Sequence, residues 1–270
     1  MKEGSNFVEV PIFTLTPDNK SSVLQQIGQE REKKGNAEFL IPQIEDVQRQ
    51  AENLGDSTTV MVLYQEKLLC AQHVVMENKK NPLKIAKGLA IMKSTTGQMT
   101  DYQQSNQDKI DPVVSARSSR FLGRQADLLH QYSQSEKYYR QGLSFFEQLE
   151  RIDQRYQSLE LSGFLAFSML KQRKNGWFEI TQQTLSNFDN SNEGIWLKDN
   201  DYYAWAVWKS GIEIRNSDTL LDSKKLTDQY RTNIENWLGD ADSILQMPDG
   251  NREVFGIRRQ ELDTVIQRLD

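Results

Sequence analysis

Cys70 and His73 stand three residues apart in Leu68-Leu69-Cys70-Ala71-Gln72-His73-Val74-Val75, a spacing that turns both side chains to one face of a helix. A thiolate and an imidazole so placed could share a metal ion, or serve as nucleophile and base. A zinc site needs two further ligands, and a nucleophile pair needs an orienting third group and an oxyanion hole. The neighbouring sequence supplies none of these. The apolar residues around Cys70 instead suit a small buried thiol. His130, the second of the two histidines, falls in Leu128-Leu129-His130-Gln131-Tyr132, near the expected C-terminus of a helix, where a partly charged imidazole is favourable. There is no glycine-rich phosphate loop of either common spacing, and no carboxylate pair is set in apolar surroundings that would raise a pKa. The sequence therefore reads as non-catalytic, with no metal or cofactor expected.

Two clusters suit binding rather than catalysis. Arg117, Arg120 and Arg124 recur at i, i+3 and i+7, a basic stripe beside the apolar stripe that starts at Phe121. Three guanidiniums on one face could grip a carboxylate, a phosphate or an acidic peptide; the competing reading is a solvated face with ion pairs to neighbouring acids. Tyr202, Trp205 and Trp208 climb another helix at steps of three, after a stretch rich in acidic and amide residues that reads as a loop over 189–201. Such a stripe packs a core, or lines a ligand groove.

The elements that must position these residues are helices. Six prolines and fifteen glycines are too few to turn an all-β chain of 270 residues. Thr16-Pro17-Asp18, Asn81-Pro82 and Asp111-Pro112 each place a capping oxygen beside a proline, which marks a helix start. Gly35 and Gly176 follow basic residues and read as helix stops. Apolar spacing then predicts helices over 17–34, 38–54, 57–78, 82–104, 112–132, 134–152, 155–174, 177–188, 200–215, 218–246 and 251–269. Residues 1–16, with Pro11 among Phe7, Val8, Val10, Ile12, Phe13 and Leu15, read as an extended N-terminal arm. No apolar run reaches membrane-spanning length, and the start of the chain has no secretory signal pattern. A net charge of −5 disfavours general nucleic-acid binding, and a single cysteine excludes an internal disulfide. A cytoplasmic location is the expectation.

The helices carry a repeat. Leu54-Gly55-Asp56 and Thr96-Gly97 look like helix ends spaced by about 42 residues, and Phe121-Leu122 through Leu143 realigns on Phe164-Leu165 through Leu185. Leu122-Gly123, Tyr132, Ser135, Tyr139, Gly142 and Leu143 resemble a tetratricopeptide repeat, with departures at Ser119, Ala126 and Glu147. Ala51–Asp56 resembles the end of a second helix in long-period versions of that repeat. The resemblance implies an all-α fold in which antiparallel helical hairpins stack as a right-handed α-solenoid over residues 17–270, with a subdomain joint near 98–111.

It also implies a non-catalytic scaffold that binds a protein or peptide on its concave face, where the arginine stripe would favour an acidic partner. The alternative is a regulatory sensor for a small peptide or anionic ligand, which requires a pocket with convergent polar groups. An all-α enzyme gathering a histidine with distant carboxylates, and a homo-oligomer joined through the N-terminal arm, are the remaining readings.

Overall fold

Single side chains start several helices. Asn81 Oδ1 accepts the amide hydrogen of Lys84 at 3.2 Å, with Pro82 in the first helical position. Asp111 Oδ1 accepts from Val113 at 2.8 Å ahead of Pro112. Asp56 accepts from Thr59, and Asp201 from Ala204, both at 3.0 Å. Each bond satisfies one of the orphan donors of a first turn. Leu54-Gly55-Asp56 closes its helix as the sequence predicts. Gly55 takes φ +70°, its amide donates to Glu52 O, and Asp56 N–H donates to Ala51 O.

The computed structural model describes residues 12–33, 35–78, 80–246 and 255–269. Its α-helices are α1 (Lys20–Glu32), α2 (Ala37–Asn53), α3 (Ser57–Glu77), α4 (Pro82–Ser105), α5 (Pro112–Leu128), α6 (Tyr132–Phe146), α7 (Ile152–Arg155), α8 (Gln157–Lys171), α9 (Trp177–Asn190), α10 (Asn192–Asn200), α11 (Tyr202–Leu221), α12 (Lys224–Ile244) and α13 (Gly256–Leu269). No strand occurs among the described residues, so the fold is all-α. The chain divides into two compact units, one ending at Leu128 and the other beginning at Leu129.

In the first unit α3 is the centre, packed on α1, α2, α4 and α5. The α2 stripe Leu40, Ile44, Val47 and Ala51 is buried against α3 residues such as Val60, Leu63, Leu68 and Ala71. Gly88 lets α4 approach α3; a Cβ there would lie 2.6 Å from Val75 Cγ2 and 3.0 Å from the Ala71 carbonyl oxygen. Phe13 and Leu15 are buried in the same core, and Gln50 ties their backbone down by accepting from Leu15 N–H at 2.7 Å and donating to Phe13 O. The rest of the expected arm, residues 1–11, lies outside the described residues.

In the second unit α8 and α11 form the middle. Helix α6 packs on α8, with Ser135 and Ser168 hydroxyls 2.8 Å apart and Tyr139 stacked on Phe164 at 5.5 Å. Small residues at that crossing let the backbones come close. Helix α11 carries α9, α10, α12 and α13. The period that starts at Phe164 falls on the packed pair α8 and α9, whereas Leu122-Gly123 and Tyr139-Gly142 belong to different units. The Gln-rich stretch 98–111 runs through the end of α4 and a 3₁₀ turn at Gln107–Lys109, within the first unit.

Several boundaries differ from the sequence reading. Thr96-Gly97 does not end a helix but lies inside α4, where the Thr96 hydroxyl donates to Met92 O at 2.7 Å. Residues 192–200 are the helix α10 rather than a loop, because Ser191 Oγ caps Gly194 N–H and Leu197 is fully buried. The predicted helix 218–246 breaks after Leu221, and Ser223 precedes a new start at Lys224. Gly176 stops nothing. Helix α8 has already ended through Arg173, a non-glycine residue at φ +55°, and Gly176, at φ +86°, leads into α9. Thr16-Pro17-Asp18 forms a turn before Asn19, so α1 begins at Lys20 instead of residue 17.

Candidate functional site

Helix α11 presents Trp205, Lys209 and Glu213 at i, i+4 and i+8, one row on a face that is otherwise small or apolar. Helices α9 and α12 flank that row. Together they border a shallow, open depression of about 310 Å³, lined by Gln182, Ser186 and Asp189 of α9, Lys209 and Glu213 of α11, and Asn236 and Asp240 of α12, with Leu185 and Trp237 as apolar walls. Contacts of Phe178 with Tyr230 and Trp237 hold α9 against α12 beside it.

Lys209 is 6 % exposed, and its ammonium donates to Asp189 Oδ2 at 2.9 Å and lies 2.8 Å from Asp240 Oδ2. Burial works against the Lys209 charge, but the hydrogen bonds to Asp240 and Asp189 outweigh it and hold the ammonium above its ordinary pKa. Glu213 is 1 % exposed. Burial pushes its pKa well above the usual carboxylate range, and the hydrogen bond and charge of Asp240 push it further. Burial also opposes the Asp240 charge, yet hydrogen bonds from Lys209 and Glu213 win, so Asp240 is held below its ordinary value. These shifts favour a charged Lys209, an ionised Asp240 and a neutral Glu213 hydrogen-bonded to Asp240. Glu213 Oε2 is buried and has no hydrogen-bond partner. Chemically this is a buried polar cluster beneath a depression whose rim side chains reach solvent.

None of the six residues singled out in the sequence lines this cavity. Trp205 supports it from the side: its indole N–H donates to Phe188 O at 2.9 Å, and its ring lies between the ammoniums of Lys198 at 4.5 Å and Lys209 at 5.5 Å. Tyr202 leans on Trp205 with ring centroids 5.4 Å apart, whereas Trp208 stacks on Tyr156 at 5.9 Å. The arginine stripe belongs to α5 in the first unit. Arg124 is buried and pairs with Asp127 at 3.3 Å, Arg120 lies 5.0 Å from the Phe121 ring centroid, and Arg117 is half-buried. The structure therefore does not bring the arginines and the aromatic helix into one unit.

Cys70 is fully buried, and burial pushes its thiol up to about 12 against the opposing pull of Arg31. His73 lies within 4.0 Å of Glu32 and 3.8 Å of Glu77, and His130 Nδ1 is 2.8 Å from the Tyr132 hydroxyl. Among the described residues no group of three or more His, Cys, Asp or Glu side chains is arranged to hold a metal ion. No described helix is long and apolar enough to cross a membrane.

Sequence reasoning missed Lys209 and Glu213. Their signal was present, since both continue the i, i+4 row of Trp205 into a buried helix face where a charge is unusual. Asp189 and Asp240 gave no such signal, because they come from other helices and are half-exposed. No protein-family model, curated protein or solved structure matches the chain.

Proposed function

We propose that the chain is a non-catalytic binding scaffold that docks a protein or peptide segment in the α9–α11–α12 cavity. One observation carries the reading: the buried Lys209 and Glu213 form the floor of an open depression whose rim, Gln182, Ser186, Asp189, Asn236 and Asp240, is hydrogen-bonding and exposed. Pre-organised polar groups in a concave surface fix the register of a bound chain, and Leu185 and Trp237 supply apolar contact. Stacked helical hairpins of the tetratricopeptide kind are the architecture we assign to it. The packed pair α8–α9, and the small residues Ser135, Ser168 and Gly163 at helix crossings, support that assignment. A reducing cytoplasm suits the buried thiol of Cys70. The sensor reading is retained for a small peptide, but two carboxylates at the rim disfavour an anion.

The test is affinity capture from source-cell extract with wild type, Asn236→Trp and Arg120→Glu side by side. Asn236 is exposed at the rim, so a bulky ring there fills the mouth without touching the core. A protein lost with Asn236→Trp and kept with Arg120→Glu supports the cavity as the docking site. Loss with Arg120→Glu alone moves docking to α5, and identical recovery from all three proteins removes both surfaces.

A further inference from the structure

We infer that the joint where α6 begins and α8 ends is a second docking surface, one that takes a short acidic segment of a partner protein. It shares no residue with the α9–α11–α12 depression and does not rest on that reading. Helices α6 and α8 run antiparallel, since Ser135 meets Ser168 and Tyr139 meets Phe164. The start of one therefore lies beside the end of the other. Gln172 fixes the joint, its amide donating to Tyr132 O at 3.1 Å and to Glu136 Oε2 at 2.9 Å. Residues 130–140 and 167–179 carry Lys137, Arg140, Lys171, Arg173 and Lys174 against Glu136 and Glu179, a surplus of three positive charges in a chain whose net charge is −5. Glu136 is buried and already engaged: Arg140 donates to its Oε1 at 3.0 Å and Lys174 to its Oε2 at 2.7 Å. It thereby orients two cations that stay 53 % and 47 % exposed. Both keep N–H donors that Glu136 does not use. Lys137 and Arg173 are exposed and pair with no acid among the described residues.

A second observation is independent of charge. His130, at φ +58°, and Arg173, at φ +55°, are the two non-glycine residues in the left-handed region among the described residues. Both border this joint. His130 Nδ1 lies 2.8 Å from the hydroxyl of Tyr132, the first residue of α6, and Arg173 follows the end of α8. Glycine closes a helix in that conformation without strain. Arginine there instead sets a planar fork of five donors at an exposed turn. Strain retained at a solvent-facing turn is what a functional side chain can require. The size of the row selects the occupant. From Tyr132 to Arg140 α6 rises about 12 Å, at roughly 1.5 Å per residue. That is the reach of about four residues of extended chain. A run of Asp or Glu of that length meets Lys137, Arg140, Arg173 and Lys174 and nothing else. A nucleic acid or an anionic bilayer carries its charge well beyond the row, where it meets the remainder of an acidic chain.

The full chain is titrated into fluorescent peptides of poly-Glu, poly-Lys or poly-Ser sequence and read by anisotropy, with single-stranded RNA and phosphatidylserine vesicles as the two other probes. The expected result is saturable binding of the poly-Glu peptide alone, weakened by added salt. Lys137→Glu combined with Arg173→Glu should weaken it by about tenfold or more. The urea midpoint of that variant should stay near wild type, because both side chains are exposed. Arg173→Gly separates binding from folding: it should stabilise the second unit and still weaken the poly-Glu peptide, which a purely structural arginine would not do. Arg120→Glu on α5 and Asn236→Trp at the depression should bind the peptide as wild type does. Poly-Glu binding that survives Lys137→Glu with Arg173→Glu, or that is lost with Arg120→Glu instead, would overturn the inference. So would RNA or vesicles bound as tightly as the peptide, and so would the absence of poly-Glu binding. None of these outcomes bears on the depression, whose own test is capture with Asn236→Trp.

Discussion

Glu213→Gln should make the second unit more stable than wild type at neutral pH, and the gap should widen as pH rises. In the folded chain Glu213 is a neutral acid, buried beside Asp240. In the unfolded chain its pKa returns to about 4.3, so the unfolded state releases a proton that the folded state keeps. A group whose folded pKa is raised contributes its full stability below the unfolded value, and that contribution is lost as pH climbs towards the folded value. The slope while Glu213 stays protonated is about 1.4 kcal/mol per pH unit. Glutamine carries no such proton, and its amide can donate to Asp240 and present an oxygen where Oε2 stands. Between about pH 5 and about pH 8 the advantage of the variant should therefore grow with pH for as long as Glu213 holds its proton. The partners do not mask this. Asp240, held below its ordinary value, contributes stability that is lost only on acidification below this window, and Lys209, held above its own, contributes stability that is lost only in strong alkali. Tryptophan fluorescence during urea unfolding is the assay, because Trp177, Trp196, Trp205, Trp208 and Trp237 all lie in the second unit. A difference between the two proteins that stays constant across the window would refute the neutral-acid assignment.

Gly194→Ala should destabilise the same unit by about 3 kcal/mol in the same assay, because a Cβ would sit 2.2 Å from the Asn187 carbonyl oxygen and 2.4 Å from that of Phe188, and backbone cannot step aside. Arg173→Gly should stabilise it by about 0.5–1 kcal/mol, since Arg173 holds φ +55° in an exposed helix end that glycine adopts without strain. Phe13→Ala should cost the first unit about 3–4 kcal/mol, the loss of a buried ring, read by far-ultraviolet circular dichroism because that unit holds no tryptophan. A near-wild-type transition for Phe13→Ala would show that residues 12–15 are not part of the core.

The sequence made legible what is local. Asn81, Asp111 and the Leu54-Gly55-Asp56 end were readable because a cap is chemistry between neighbours in the chain. Thr96-Gly97 misled because a helix interior can absorb a glycine when packing holds both flanks. Thr95, Thr96 and Met99 are all buried. The polar run 189–201 hid α10 because one buried leucine, one serine cap and one close-packed glycine outweigh a coil-like composition. In the aromatic stripe Trp205 is buried, and the polar groups beside it lie one and two turns further on. Lys209 and Asp189 are 20 residues apart and meet only because α9 lies beside α11, which no local pattern encodes. For the same reason no carboxylate stood out in the sequence, although the structure isolates Glu213.

The Lys209–Glu213 pair can be asked directly whether it serves the fold or the cavity. A buried ion network is often replaceable by apolar groups of similar size with no loss of stability, whereas removing one partner alone costs about 3–5 kcal/mol. Lys209→Met alone should be destabilising, by less than that cost because both aspartates are half-exposed, since Asp189 and Asp240 lose their shared cation beside the buried Glu213 carboxyl. Adding Glu213→Leu should recover most of it. The two aspartates are half-exposed and can turn to water, and the rest of that α11 face, Ala206, Ser210 and Ile212, already packs closely. The double variant should therefore unfold within about 1 kcal/mol of wild type while losing the protein that wild type captures, a positive coupling between neighbouring sites. A double variant less stable than Lys209→Met alone would mean that Glu213 is kept for the fold. Recovery of stability with loss of binding would mean that the second unit tolerates a buried acid, whose cost rises with pH, because of what the cavity must hold.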